Sequence, residues 1–372
     1  MDQSNALIFI PDISGFTKFV KNTEILHARH IISELLEIII DANEIELKVS
    51  EVEGDAVLFY RFGESPSISD LLAQVQKMYT EFKAYLKIYE SQRICQCGAC
   101  TTAQRLSLKF VAHYGEVVLE HVKEHIKLFG SDVIVAHRLL KNDLPNQQYL
   151  LLTDPLLNNS GGIDIFQQKS WEAPVPGSGD YDFGIMTFYH LSLNKLDALV
   201  PEPTIVDFSL PEATMQIDEY EGIINAPLQL VFDVVSDLAF RDKWIDGLKG
   251  SDKLNGIITR NGSTHRCVIN GNNSDPYFYT HDFEKENDLI RFTESDHKKG
   301  ISNVYNLQAI GGEITRMTIY TFMKPNALKK WVYVKFFKPK FTKINIKNYQ
   351  NLNSYCNELM SKHKVHESQI IL

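Results

Sequence analysis

The sequence predicts an α+β protein of two domains. At 372 residues it exceeds what one hydrophobic core ordinarily organises. Its first half mixes strand-like and helix-like patterns, and its second half reads as one helix, a run of antiparallel strands and a long closing helix. Between them, Ala198 to Met215 carries Pro201, Pro203 and Pro211 with little periodicity, the mark of a semi-rigid linker. The expected division is 1–194 for the first domain, 195–216 for the linker, 217–363 for the second domain and 364–372 for a tail.

Composition narrows the class. Hydrophobic residues make up 44% and charged residues 23%, as in a soluble globular protein. A net charge of -9 argues against nucleic acid as a partner, because phosphate binding relies on clustered Lys and Arg. No run of about 18 apolar residues is present to span a bilayer, and residues 1–30 lack the basic and apolar regions of a signal peptide, so a cytoplasmic location is expected.

The elements follow in order. Ala6 to Ile10 is a continuous apolar run, which predicts a strand buried on both faces. It ends at Asp12, followed by Ser14 and Gly15, which can turn the chain and leave N–H groups free. Asp12 there is either a helix cap or a ligand for a metal ion that holds a polyphosphate. Ile31, Leu35, Ile38, Ile39 and Ala42 have the spacing of an amphipathic helix over 23–44. The segments 45–50 and 56–62 read as strands joined by a Gly54-Asp55 turn. If that hairpin lies beside the first strand, Asp12 and Asp55 converge, and two carboxylates suit a hard cation such as Mg²⁺. Pro66 opens a helix with a buried stripe of Leu71, Val75, Met78, Phe82 and Leu86. A strand over 106–113 is expected to turn at Tyr114-Gly115 into Glu116-Val117-Val118, before a polar hairpin over 120–125 and a helix over 132–141 carrying Arg138. This order predicts a mixed sheet with helices on one face.

These residues resemble the class III nucleotidyl cyclase catalytic domain. The family's opening motif, F-x-D-I-x-G-F-T, is met by Phe9-Ile10-Pro11-Asp12-Ile13-Ser14-Gly15-Phe16-Thr17 with one residue inserted. Its Gly-Asp hairpin fits Gly54-Asp55, its H-x-G-x-V-V fits His113 to Val118, and its (F/W)-G-x-x-V-N-x-A-x-R fits Phe129 to Arg138. The resemblance implies a ferredoxin-like fold and conversion of a nucleoside triphosphate to a cyclic monophosphate and pyrophosphate with Mg²⁺ or Mn²⁺. It implies metal ligation by Asp12, Ile13 and Asp55, with Ser14, Gly15, Phe16 and Thr17 against the triphosphate. Arg138 would stabilise charge on the reacting phosphate, and Glu51 and Lys127 would stand at the base-reading positions. Because acids and arginine come from different protomers in this family, a head-to-tail homodimer is implied.

Some positions depart from the pattern. The ribose-orienting asparagine is replaced by Ile134, and 167–189 holds no counterpart of the triphosphate lysine. Glu51 with Lys127 fits neither the adenine nor the guanine set, and the two could instead pair as a salt bridge. Two readings stay open: an active cyclase, or a non-catalytic nucleotide- or lipid-binding protein on a degenerate cyclase scaffold. Cys95, Cys97 and Cys100 have spacing that can hold Zn²⁺, with His113, His121 or a residue of the second domain as fourth ligand; the alternative is a reduced or redox-sensitive loop.

In the second half, a strand over 220–224 leads through Asn225-Ala226-Pro227 into a helix containing Leu230, Val231, Val234 and Val235. Turns at 260–262, 270–276 and Gly311-Gly312 space an antiparallel sheet, and a helical region over 326–360 closes it. This order, opening on Ala226-Pro227-Leu228, resembles the START-like helix-grip superfamily. The resemblance implies an apolar cavity for a small apolar ligand, with Trp244, His265, Arg266, Tyr277 and Tyr279 as candidate lining residues. Seven lysines from Lys329 to Lys347 alternate with Trp331, Phe336, Phe337 and Phe341. Such a stretch either lies on an anionic membrane or packs its apolar residues inward with Lys stems outward. The second is expected, with a break at Pro339 and no membrane surface as partner.

Overall fold

The structure, a computed structural model, describes residues 4–21, 25–94, 98–123, 125–142, 144–162, 171–181, 184–204, 206–253, 261–269 and 276–370. The chain divides into two compact units, 1–91 with 97–204, and 92–96 with 205–372, so the division falls inside the proline-bearing stretch. No helix among the described residues is long and apolar enough to cross a membrane.

The first unit is built on β1 (Ser4–Ser14), whose residues Ala6 to Ile10 are all buried. The short α1 (Phe16–Lys21) and then α2 (Ile25–Asp41) follow, and the hairpin β2 (Lys48–Glu53) and β3 (Ala56–Phe62) returns to β1. Next come α3 (Ile68–Gln92), α4 (Gly98–Thr102), β4 (Ser107–Val122), β5 (His125–Phe129), α5 (Ser131–Leu139), β6 (Tyr149–Thr153), α6 (Asp154–Asn159), β7 (Val175–Tyr181) and β8 (Gly184–Ser192). The sheet order is β2-β3-β1-β4-β6-β8-β7, with β5 paired to β4 and only β4–β6 parallel. β1 lies inside the sheet, between β3 and β4, and both its faces are buried.

Its alternate residues serve two layers. Ala6, Ile8 and Ile10 pack with Val133 and Ala136 of α5. Leu7 and Phe9, equally buried, point to the opposite face, where Phe9 stacks on Phe110 at 5.5 Å. Fully burying each such side chain is worth about 1.5–3 kcal/mol. α5 covers one side, and the burial of Leu7 and Phe9 shows that the other side of β1 is covered as well.

Tyr114-Gly115, expected as a turn, is none. β4 runs unbroken for 16 residues through it. Glycine is required there by close approach: a Cβ on Gly115 would stand 2.2 Å from the Asp132 carboxyl carbon. The first hairpin strand also starts later than the alternation of Ile45 and Leu47 suggests, at Lys48.

The second unit is a seven-stranded antiparallel sheet in the order β10-β11-β12-β13-β14-β15-β9. Its strands are β9 (Met215–Ile224), β10 (Gly250–Lys253), β11 (Thr264–Val268), β12 (Tyr277–Glu286), β13 (Leu289–Asp296), β14 (Ile301–Gly311) and β15 (Ile314–Met323). Its helices are α7 (Leu228–Ser236), the single turn α8 (Arg241–Trp244), α9 (Ala327–Val332) and α10 (Lys338–Ile370). Val231, Phe232 and Val235 of α7 and Leu352 and Cys356 of α10 share a core with Phe292, Tyr305 and Leu307 of the sheet. Inside it Arg241 and Glu294 form a bidentate pair at 3.0 and 2.5 Å, each carbon stem and head almost wholly removed from water. Desolvation is offset there by mutual attraction and by the Arg241 Nε–H bond to the Val235 carbonyl at 3.1 Å.

The closing helix departs from its expected packing. A π-helical segment, Tyr333–Phe337, joins α9 to α10, and the chain stays helical through Pro339, so the expected break there is not found; Pro339 has no N–H to donate to the turn before it, and the π-helical segment lies in that turn. Neither α9 nor the π-helical segment buries any residue, so Trp331, Phe336 and Phe337 do not pack inward as expected.

Candidate functional site

β1 carries Asp12 to the sheet's rim, with Ala56 of β3 opposite it. The Ile13 N–H donates to the Asp55 carbonyl oxygen at 2.9 Å, and Gly54, at φ +63°, closes the hairpin tightly enough to bring Asp55 to the same end. From the other side α5 presents Ile134, His137 and Arg138. Asp12, Glu53, Asp55, Lys109, His137 and Arg138 line one cleft of about 570 Å³.

The two carboxylates strain one another. Burial, followed by the charge of Asp12, pushes the Asp55 carboxyl up to about 6. Burial also raises Asp12, and Lys109 opposes that rise. Lys109 stands directly across the β1–β4 ladder from Asp12, its Nζ 3.3 Å from Oδ1, and it also donates to the Leu140 carbonyl at 3.2 Å. Sequence reasoning missed this residue. The signal was a lysine inside an apolar strand, Leu108-Lys109-Phe110, where a charge needs a partner.

Arg138 thus shares a cleft with the acids of its own chain, whereas the family resemblance implies an arginine from a second protomer. Ser14, Gly15, Phe16, Thr17, Glu51 and Lys127 do not line this cleft. The Ser14 hydroxyl is buried and has no hydrogen-bond partner among the described residues. Lys127 lies across from Glu120 in the β4–β5 ladder, and no ion pair joins it to Glu51 among the described residues. Glu51 instead groups with Glu53 and His137, whose ligand atoms all lie within 4.8 Å of one another. His137 Nδ1 is 3.5 Å from Glu53 Oε2. Ile134 is 56% exposed, a hydrocarbon at the position where the resemblance expects a ribose hydrogen bond.

A buried network sets the position of α5. His113, 1% exposed, meets Thr153 Oγ1 through Nδ1 at 2.9 Å and Asp132 Oδ1 through Nε2 at 2.8 Å. The other oxygen of Asp132 accepts the Glu116 N–H at 2.9 Å. The bond from His113 is the first reason that the Asp132 carboxyl sits below its ordinary range. Both ring nitrogens of His113, one of the candidate fourth zinc ligands, are engaged in this network. Cys95 and Cys97 lie outside the described residues; Cys100 is buried on α4 and accepts a hydrogen bond from the Tyr89 hydroxyl at 2.9 Å.

The second unit holds a cavity of about 500 Å³, lined by Trp244, Phe278, Tyr305, Ile319, Tyr333 and Phe341 among others. Of the five expected lining residues only Trp244 reaches it. The miss is one of strand parity: Phe278 faces the cavity, so its neighbours Tyr277 and Tyr279 face away, and Arg266 pairs with Tyr277. Tyr279 stacks on Phe208 at 5.3 Å. His265 shares the face of Phe278 but is fully buried against its ring, at 5.6 Å.

The model of a family described as a protein of unknown function (DUF2652) matches residues 32–149. The uncharacterized protein Rv2561/Rv2562 of Mycobacterium tuberculosis is 38% identical over 122 residues, 33% of this chain and 57% of its own length. The chain thus spans a little over half of that relative. Among solved structures, the catalytic core of a rhodopsin-guanylyl cyclase with converted specificity, in complex with ATPalphaS, is 16% identical with a TM-score of 0.37, over 51% of this chain and 97% of its own. A bacterial light-regulated adenylyl cyclase is 15% identical with a TM-score of 0.38, over 53% of this chain and 57% of its own.

Proposed function

We propose that the first unit is a nucleotidyl cyclase-like site that holds a nucleoside triphosphate through a divalent cation and converts it to a cyclic monophosphate and pyrophosphate. The observation that carries this reading is the convergence of Asp12, Asp55 and Arg138 on one cleft. The donor set fits a hard cation: two adjacent carboxylates, partly desolvated and repelling one another, are relieved by a double positive charge. Mg²⁺ or Mn²⁺ held by Asp12 and Asp55 would supply Lewis-acid activation of the ribose 3′-hydroxyl and neutralise phosphate charge.

The chain's own groups do the rest. Arg138 stands at the exposed rim, where its planar fork can grip phosphate oxygens. Lys109 screens the charge of Asp12 and, being a flexible point charge, can turn from the carboxylate to a phosphate. That role is one the expected late lysine leaves vacant in the sequence. The His113–Asp132 bond fixes α5 and so the place of Arg138. For the second unit we propose a START-like ligand-sensing role, supported by its antiparallel sheet, its long α10 and a largely apolar cavity. A homodimer remains part of the proposal.

A second reading, binding without turnover, is favoured by Ile134 and by the occupation of Asp12 by Lys109. Incubation of the protein with Mn²⁺ and each of the four nucleoside triphosphates, followed by mass spectrometry, separates the two. Cyclic monophosphate from the wild type but not from Asp55→Ala supports the cyclase. Saturable nucleotide binding with no product from any of the four supports the second reading.

A further inference from the structure

The most unusual surface of the protein lies at the start of its closing helices. Leu328 is 70% exposed, Trp331 54%, Phe336 60% and Phe337 49%, and Val334, Phe341 and Ile346 are exposed with them. Soluble proteins rarely leave a contiguous set of large apolar side chains in water without a partner for it. The π-helical segment contributes directly, because its wider turn breaks the 3.6-residue period and lets consecutive Phe336 and Phe337 both face out.

The charge around these residues is as uneven. Between Glu313 and Glu358 there are eight lysines and one arginine and no acidic residue, a formal +9 within a chain of -9. Lys338 and Lys347 are paired with Asp218 and Asp246 of the body. Lys329, Lys330, Lys340 and Lys343 have no carboxylate within salt-bridge distance among the described residues. Lys335 lies 4.8 Å from the Trp331 ring and 5.5 Å from that of Phe336, which keeps a cation beside the two aromatics.

We propose that the segment 327–347 docks on an anionic lipid bilayer, with Leu328, Trp331, Phe336 and Phe337 at the headgroup boundary and the lysines on the lipid phosphates. Amphipathic aromatics beside lysines have the composition of interfacial anchors. Nucleic acid would explain the lysines, but exposed Leu328, Val334 and Ile346 offer no stacking surface and match hydrocarbon instead. Tyr333 and Phe341 of the same segment also line the cavity of the second unit, so docking would bring the bilayer to the wall of a site suited to apolar molecules.

The test uses the full chain and sedimented vesicles of phosphatidylcholine, alone or mixed with phosphatidylserine. Binding should rise about tenfold with phosphatidylserine and fall in high salt. Trp171 and Trp244 are buried, so quenching by brominated phosphatidylcholine reports on Trp331, and it should accompany binding. The variant Trp331→Ala/Phe336→Ala/Phe337→Ala should lose binding about tenfold with an unchanged circular dichroism spectrum and melting temperature, since these side chains support no core. The proposal is overturned if the protein ignores phosphatidylserine vesicles, if it binds them without quenching, if the triple variant binds as well as the wild type, or if it takes up only nucleic acid.

Discussion

Lys109 and Asp12 face each other across the β1–β4 ladder, with Nζ 3.3 Å from Oδ1, at the place proposed for a divalent cation. A cation arriving there must displace or tolerate the ammonium. Replacing Lys109 by Met removes that competing charge while keeping the stem. Mn²⁺ affinity, measured by calorimetry, should then tighten about tenfold, as expected for loss of one charge a few ångströms away in a half-screened site. If Lys109 also serves the triphosphate, the same variant should bind nucleotide more weakly.

The contact of Gly115 with Asp132 gives a second expectation. Gly115→Ala puts a Cβ 2.2 Å from the Asp132 carboxyl carbon, and the carboxylate cannot retreat without leaving His113 or the Glu116 N–H. A loss of about 2–4 kcal/mol in denaturant unfolding is expected, the size of a clash joined to a broken buried hydrogen bond. His113→Ala should cost a similar amount through the same network.

Because Arg138 lies in the cleft of its own chain, mixing is informative. Equal amounts of Asp12→Ala and Arg138→Ala proteins should recover no cyclase activity if each site is complete within one chain. Recovery of a substantial fraction of wild-type activity would show that the arginine acts across a dimer.

The pH dependence follows from Asp55. Its carboxyl is raised from 3.8 to about 6, so the folded chain holds this proton more tightly than the unfolded chain. The group's contribution to stability is greatest below pH 3.8 and declines as pH rises towards 6. Protons and cation compete for the same oxygens, so Mn²⁺ should bind weakly at pH 5 and reach full affinity above pH 7, with Asp55→Asn removing most of that dependence. Thermal shift with and without Mn²⁺ across this range checks both signs.

Much of the first unit was legible because its signals are local. A continuous apolar strand, a Gly-Asp turn and a helical stripe each follow from one property of the backbone, and they bring Asp12 and Asp55 to one place. Lys109 was not legible, since its partner lies 97 positions away and only the register of β1 with β4 unites them. The false turn at Tyr114-Gly115 has a similar cause. Glycine reads as a bend, but this one answers a side chain 17 residues on. In the second unit the choice of Tyr277 and Tyr279 over Phe278 was an error of one residue in strand phase, which inverts every side chain. The exposed aromatics of 328–341 followed no rule of helix amphipathicity, because a π-helical segment resets the phase between α9 and α10.

The central claim is that Asp12 and Asp55 together hold a divalent cation with its nucleotide. Electron paramagnetic resonance of Mn²⁺ tests it most directly, because the sharp signal of free Mn²⁺ disappears on binding. With a nucleoside triphosphate present, the wild type should remove that signal beyond what nucleotide alone does, and Asp12→Ala/Asp55→Ala should not. An unchanged signal with the wild type, or equal uptake by the double variant, would contradict the account.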